Sequence, residues 1–375
     1  MNRYAAAVMM ALVLGLTGLG LVMLSSVTAP LADSGSQLEK QLIWFAGGLA
    51  AFSVVGWMDY GFWRRWAWVL FGCSVVLLSL VFVPGLGSRV KGASRWINLF
   101  NFKIQPSEFL RLSLIILLAH LLTRHQARLR EWKFGFFLPI GLIVTPLIML
   151  RLEPDMGAMV LVALTTFVMM FVAGTRVWPL AGAGSAAAVI FVGMLWMLPE
   201  RRIRILAFLN PIEHREGKFF QIWQSILAFG SGGTEGLGLG NSRQKMFYLP
   251  ESTTDCIFPI IGEELGFYFT SAVVLAYAVI LICGLWIALH SRDNYGMLLG
   301  FGLIFGLCVQ AIINIATVTG SIPPKGMPLP FVSYGGSNLL LSYLAVGFLV
   351  SIHRQSLRSK RFQGGMPLDE RTPCV

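Results

Sequence analysis

Apolar residues run through this chain in about ten long stretches, at about 5–26, 42–58, 66–83, 107–123, 135–152, 156–174, 178–198, 258–289, 296–318 and 336–353. A helix of roughly 20 apolar residues crosses the hydrocarbon core of a bilayer. In lipid every backbone polar group must be satisfied internally, so each run is expected as a helix. Composition agrees, with 56% of the 375 residues hydrophobic and 13% charged, where soluble domains carry roughly 25% charged residues. A soluble enzyme, a disordered chain and a single-anchored receptor are excluded. The first run follows Arg3 and is longer than the roughly 7–15-residue core of a signal peptide, so it reads as the first span. The expected architecture is an all-α polytopic membrane protein. One transmembrane domain would occupy 1–353, with a large loop at 199–257 between helices seven and eight and a basic tail at 354–375.

Ten spans put both termini on one side, and loop charge says which. The terminal side carries Arg3, Arg64, Arg65, Arg124, Arg128, Arg130, Lys133, Arg176, Arg292 and the basic tail, whereas short loops opposite carry only Lys40, Arg151 and Lys325. Cytoplasmic loops are the ones enriched in Lys and Arg, so both ends are expected in the cytoplasm. Two outer segments depart from the pattern. Segment 84–106 holds Arg89, Lys91, Arg95 and Lys103 with no acid, and 199–257 holds Arg201, Arg202, Arg204, Arg215, Lys218, Arg243 and Lys245. Long translocated loops are exempt from the rule, but cations gathered above a bundle also suit an anionic ligand such as a lipid phosphate. The net charge of +11 therefore points to membrane headgroups, not nucleic acid. Five cysteines and five histidines form no CxxC or HxxxH spacing, so no structural metal site is expected.

Four blocks could carry chemistry. In the first, Pro106 and Ser107 read as a helix start that puts Glu108 in the first turn, where the helix dipole favours an anion. Glu108 and Arg111 share a face and can pair; a structural ion pair and a site role carry equal weight. In the second, Glu153-Pro154-Asp155-Met156-Gly157, Asp155 reads as the cap of the following helix. The third is the long loop with its glycine-rich stretch from Gly230 to Gly240, which matches no nucleotide fingerprint. It ends at Asp255, where polar chain enters the eighth apolar run, as a helix cap or a reactive carboxylate. The fourth places Gln310 and Asn314 one turn apart in a span. Four prolines and three glycines follow between Pro323 and Ser337. That segment, with Lys325 and Ser333, cannot continue a helix and is expected as a rigid, partly re-entrant loop.

With these blocks in order, the chain resembles the SEDS family (shape, elongation, division and sporulation). The motifs are GASRWI from Gly92, QPSE from Gln105, PDMG from Pro154, FYLPESTTD from Phe247 with GEELG from Gly262, and PPKGMPLPFVSYGGS from Pro323. The stretch Gly238–Glu251 looks more like the division branch than the elongation branch. The resemblance implies a peptidoglycan glycosyltransferase that polymerises lipid II at the outer face of the cytoplasmic membrane, at the division septum. Implied partners are a class B penicillin-binding protein and other division proteins. It implies Asp255 as the essential carboxylate. Arg95, Glu108, Arg111, Arg202, Arg204, Lys245, Lys325 and Ser333 would line the substrate cavity. The family usually has Lys where this chain has Arg111 and Phe where it has Cys256. The resemblance fixes no cofactor, and a divalent cation (Mg or Mn) could join the outer cations in stabilising the pyrophosphate. The competing readings are a lipid II flippase and a division scaffold.

Overall fold

A computed structural model describes residues 4–29, 34–84, 86–90, 93–99, 102–197, 220–246, 248–323 and 325–365. The apolar runs form α1 (Ala5–Thr28), α2 (Ser34–Trp57), α3 (Tyr60–Ser79), α4 (Pro106–Arg124), α5 (Leu138–Leu152), α6 (Met156–Val172) and α7 (Val177–Met197). They continue as α9 (Ile257–Leu289), α10 (Asn294–Val318) and α11 (Gly336–Gly365), with a short α8 (Phe220–Gly232) between. Eight of these, α1–α5 and α9–α11, are long and apolar enough to cross a membrane, with α5 extended back to Lys133. α6 and the described apolar part of α7 are shorter. The expected ten apolar helices are thus all present.

Hydrogen bonds across the bundle fix the direction of α1, α2, α3, α9, α10 and α11. At one end Tyr60 on α3 donates to Asp293 ahead of α10 over 2.8 Å, and Ser356 on α11 donates to the carbonyl of His290 after α9. At the other, Ser26 late in α1 meets Glu264 early in α9, and Gln41 early in α2 meets the chain before α11. α11 extends past residue 353, so 354–365 of the expected tail continue the last helix.

The second end carries features that the apolar runs did not announce. Segment 84–106 contains a three-stranded antiparallel sheet, β1 (Gly87–Val90), β2 (Ala93–Leu99) and β3 (Phe102–Ile104), in the order β1-β2-β3. It is tied to α11 by Ser337, whose hydroxyl donates to the Lys103 carbonyl and accepts from the Gln105 N–H. α8 lies in the long loop. It buries Ile222, Ser225, Ala228 and Gly232 along one face, and Phe229 packs against Phe258 of α9.

α9 is broken at Gly266, whose φ of 79° and ψ of −174° are open only to glycine. The break frees backbone groups, and the loop fills them. Leu237 and Gly238 donate to the carbonyls of Glu263 and Glu264, both over 2.9 Å, while Phe267 donates to Gly233 over 3.0 Å. A Cβ on Gly266 would lie 2.5 Å from the Gly236 nitrogen. Gly266→Ala is therefore expected to cost at least ~1–3 kcal/mol from backbone strain alone. A lower thermal midpoint of the detergent-purified protein would check this; an unchanged midpoint would count against the joint.

Candidate active site

The segment between α10 and α11 builds the site. It carries the buried residues Met327, Leu329, Phe331, Val332 and Ser333, and it dips into the bundle as expected. A Cβ on Gly20 of α1 would meet the Val332 carbonyl at 2.6 Å. Gly20 lies about two turns, or roughly 12 Å, below the end of α1 at 1.5 Å per residue. Tyr277 of α9 donates to the Pro330 carbonyl, and Ser333 Oγ accepts the Leu329 N–H over 2.8 Å. Proline removes donors and glycine removes side chains, so this backbone survives at depth only because protein groups satisfy it.

Against this loop the chain ahead of α9 is held at three successive carbonyls. The Tyr334 N–H donates to Thr253 over 2.9 Å, Ser333 Oγ donates to Thr254, and Asn314 Nδ2 donates to Asp255 over 2.9 Å. Asn314 also donates to the Met327 carbonyl over 2.6 Å. Asp255 is thereby fixed beside Gly326. The N-cap of α9 is Cys256, which makes no side-chain cap, so the helix-cap reading of Asp255 finds no support at that position. A Cβ on Gly326 would stand 2.4 Å from Asp255 Oδ2. Gly326→Ala should displace the carboxylate. If Asp255 is reactive, turnover falls by about ten- to hundredfold with insertion intact; turnover within twofold of wild type would contradict that placement.

Met327, next to Gly326, also borders a cleft of about 340 Å³, lined by Gln105, Glu108, Arg111, Asp155 and Gln310 among others. Glu108 Oε2 and Arg111 Nη2 are 2.8 Å apart, so the i,i+3 pair inferred from spacing forms. Arg111 Nη1 also donates to Gln310 Oε1 over 2.5 Å. Gln310 in turn donates to the Pro328 carbonyl and to Asn338 Oδ1, each over 2.9 Å. One planar guanidinium thus joins α4 to α10, a two-pronged geometry that a lysine ammonium would have to meet differently. Asp155 caps α6, accepting from Gly157 and Ala158 over 3.1 and 3.2 Å, and Gln105 Nε2 reaches its other oxygen over 3.2 Å.

Arg95 of β2 turns its guanidinium onto the carbonyls of Glu153 and Pro154, over 3.2 and 2.5 Å, clamping the turn before α6. Burial pushes the Lys325 ammonium down to about 8, against the pull of Asp155; it is a poised cation beside the cleft. Burial first, then Asp155, raises the Glu153 carboxyl to about 8, and its Oε1 has no hydrogen-bond partner. A folded value above the ordinary 4.5 means the native state holds that proton longer. Stability is then full below pH ~4.5 and falls by about 1.4 kcal/mol per pH unit up to pH ~8. Glu153→Gln should raise the thermal midpoint at pH 8 and leave it unchanged at pH 4; an equal shift at both would refute this.

The expected cavity residues do not all converge. Lys245 is buried away from the cleft with its ammonium on Glu264, and Ser333 serves the loop backbone. Arg202 and Arg204 lie outside the described residues. Cys256 is buried, with Gln221 Nε2 donating to Sγ over 2.9 Å. Burial pushes its thiol up to about 12, so no thiolate stands beside Asp255. Among the described residues no three His, Cys, Asp or Glu side chains gather as a metal site. Gln105 has no role in the sequence beyond its place in the QPSE motif; polarity beside a helix start is its only signal. The buried Glu263 and Glu264 were likewise unassigned, though charge inside an apolar run marked them.

Residues 6–358 match the model of the FtsW/RodA/SpoVE cell cycle protein family. The chain belongs to the SEDS family. A relative from Trichlorobacter lovleyi named probable peptidoglycan glycosyltransferase FtsW is 41% identical over 350 residues, covering 92% of each chain. Stage V sporulation protein E of Bacillus subtilis is 40% identical over 343 residues, covering 90% of this chain and 94% of that one. Among solved structures, a chain from work on polymerisation and crosslinking by a peptidoglycan synthase complex superposes with a TM-score of 0.78. It is 26% identical and covers 93% of this chain and 97% of its own. The rod shape determining protein RodA of Thermus thermophilus gives 0.70 at 26% identity, covering 93% and 96%. This SEDS protein is therefore a multi-pass helical membrane protein along nearly its whole length.

Proposed function

We propose that this SEDS protein is a peptidoglycan glycosyltransferase that polymerises lipid II at the outer face of the cytoplasmic membrane, with Asp255 as general base. The observation that carries the reading is the pinning of residues 253–255, which fixes a carboxylate beside a cation-bearing cleft. The FtsW-named relatives support the activity. Chain growth moves an α-linked sugar from undecaprenyl pyrophosphate to a GlcNAc 4-hydroxyl and gives a β-linkage. That net inversion suits a single displacement. Asp255 would take the hydroxyl proton as the oxygen attacks the anomeric carbon, and the bond to pyrophosphate breaks with its electrons. Among the described residues Arg111 and Lys325 are cations near the cleft that could meet that anion. No three His, Cys, Asp or Glu side chains among the described residues gather to hold a divalent ion.

The division role rests on the relatives named FtsW; an elongation role is the second reading, supported by the RodA likeness. A class B penicillin-binding transpeptidase is the proposed partner, supported by the synthase-complex likeness. Both termini are placed in the cytoplasm and 199–257 outside, since the terminal end carries most of the short-loop cations. Labelling of single cysteines in 199–257 only from the cytoplasmic side would contradict that topology. The activity itself is tested with purified protein, its partner and fluorescent lipid II. Glycan polymer is expected; lipid II transfer across vesicles without polymer would favour a flippase.

A further inference from the structure

The GEELG segment holds two buried carboxylates to which the reaction gives no task. Glu263 and Glu264 are 1% and 0% exposed. Glu263 accepts from Ser242 Oγ and from the N–H groups of Arg243 and Gln244 over 3.0 and 3.2 Å. Glu264 accepts from Ser26 Oγ of α1 at both oxygens over 2.8 Å, from the Ser242 N–H over 3.3 Å and from Lys245 Nζ over 2.9 Å. Lys245 Nζ is also within hydrogen-bond distance of Ser26 Oγ at 3.0 Å and the Gly240 carbonyl at 2.7 Å. An ammonium has three donors, and here each has an acceptor. None is left over for a phosphate.

The position of these groups matters because Gly266 breaks α9. The half-helix from Ile257 to Leu265, which begins two residues after Asp255, takes no direction from the spanning half through continuous helix. Its direction is set by what grips it: Phe229 of α8 on Phe258, the loop backbone on Glu263 and the carbonyls of Glu263 and Glu264, and, at the Glu264 carboxylate, α1 through Ser26 and the loop through Lys245. We propose that Ser26, Lys245 and Glu264 form a latch that positions Asp255 against the Gly326 segment, making Lys245 a positioning residue and not a phosphate ligand. The proposal rests on Asp255 being the base. Loosening the latch would let the half-helix shift and carry the carboxylate with it, while the cleft lining on α4, α6 and α10 stays in place.

The test is steady-state lipid II polymerisation by the full-length protein with its partner, comparing Lys245→Met, Glu264→Gln and the double variant. The latch predicts that each single variant lowers kcat by about ten- to hundredfold, as expected for a small misplacement of a reacting group. KM should stay within about twofold, because ground-state binding is untouched. The double variant should be no worse than the worse single one, and Lys245→Arg should retain part of the activity. A KM raised about tenfold or more by Lys245→Met, with Glu264→Gln near normal, would make Lys245 a ligand and overturn the latch. Normal kcat per folded molecule, with only the folded yield reduced, would overturn it as a purely structural pair. Should Glu264→Gln fail to fold, Ser26→Ala removes one hydroxyl only; it should still lower kcat, and an unchanged kcat would sink the proposal. An active Asp255→Asn protein in the same assay would defeat the base assignment separately, because the KM pattern still tells latch from ligand.

Discussion

Asp255→Asn protein should insert, fold and bind lipid II, yet polymerise it at least about a hundredfold more slowly than wild type. A positioned general base contributes roughly 10²–10⁴-fold, or about 3–5 kcal/mol of barrier. Asparagine keeps the size, and its backbone carbonyl can still accept from Asn314. The cap position of α9 is Cys256, so the substitution removes no cap there. Normal insertion and lipid II binding by the variant would assign the loss to chemistry. Repeating the assay across divalent-ion concentrations separates two origins of that loss, since rescue by excess metal would favour ligation over proton transfer. A well-inserted variant with near-normal glycan synthesis would end the catalytic assignment.

The second large effect is expected at the Glu108–Arg111 pair. Breaking a buried ion pair by removing one partner strands the other charge and costs about 3–5 kcal/mol. Glu108→Arg sets two cations side by side, disarranges the cleft lining and should reduce polymerisation by about a hundredfold or more in the inserted protein. Exchanging the residues, Glu108→Arg with Arg111→Glu, should restore part of the activity. Recovery stays partial because Arg111 also holds Gln310, which in turn holds Pro328 and Asn338. A carboxylate at 111 would need the Gln310 amide to reverse and so lose those bonds. An exchanged protein no better than the worse single variant would show that the pairing does not organise the cleft.

Much of this was legible in the sequence because it depends on near neighbours. Apolar runs give the ten apolar helices through the length of a bilayer crossing. The three-residue spacing of Glu108 and Arg111 gives their pair, and the Pro-Asp-x-Gly order gives the Asp155 cap. The proline and glycine density after Pro323 gives the buried loop. What was hidden depends on partners far away in the chain. Lys245 reads as a loop cation of the substrate cavity because nothing local discloses Glu264 and Ser26. The Gly266 break lay inside a continuous apolar run and is explained only by Gly236 and the loop backbone that fills it. The sheet at 87–104 escaped notice because β2 pairs on both sides in a segment noted only for its cations.

The central claim, that the Asp255 carboxylate takes the acceptor proton, is tested most directly by single-turnover formation of one glycosidic bond across a range of pH. Wild type should show a rate that rises through one ionisation and levels off, as a required base must. Asp255→Asn should be slower by at least about a hundredfold and should lack that rise. An Asp255→Asn protein that keeps both the rate and its pH dependence would contradict the account.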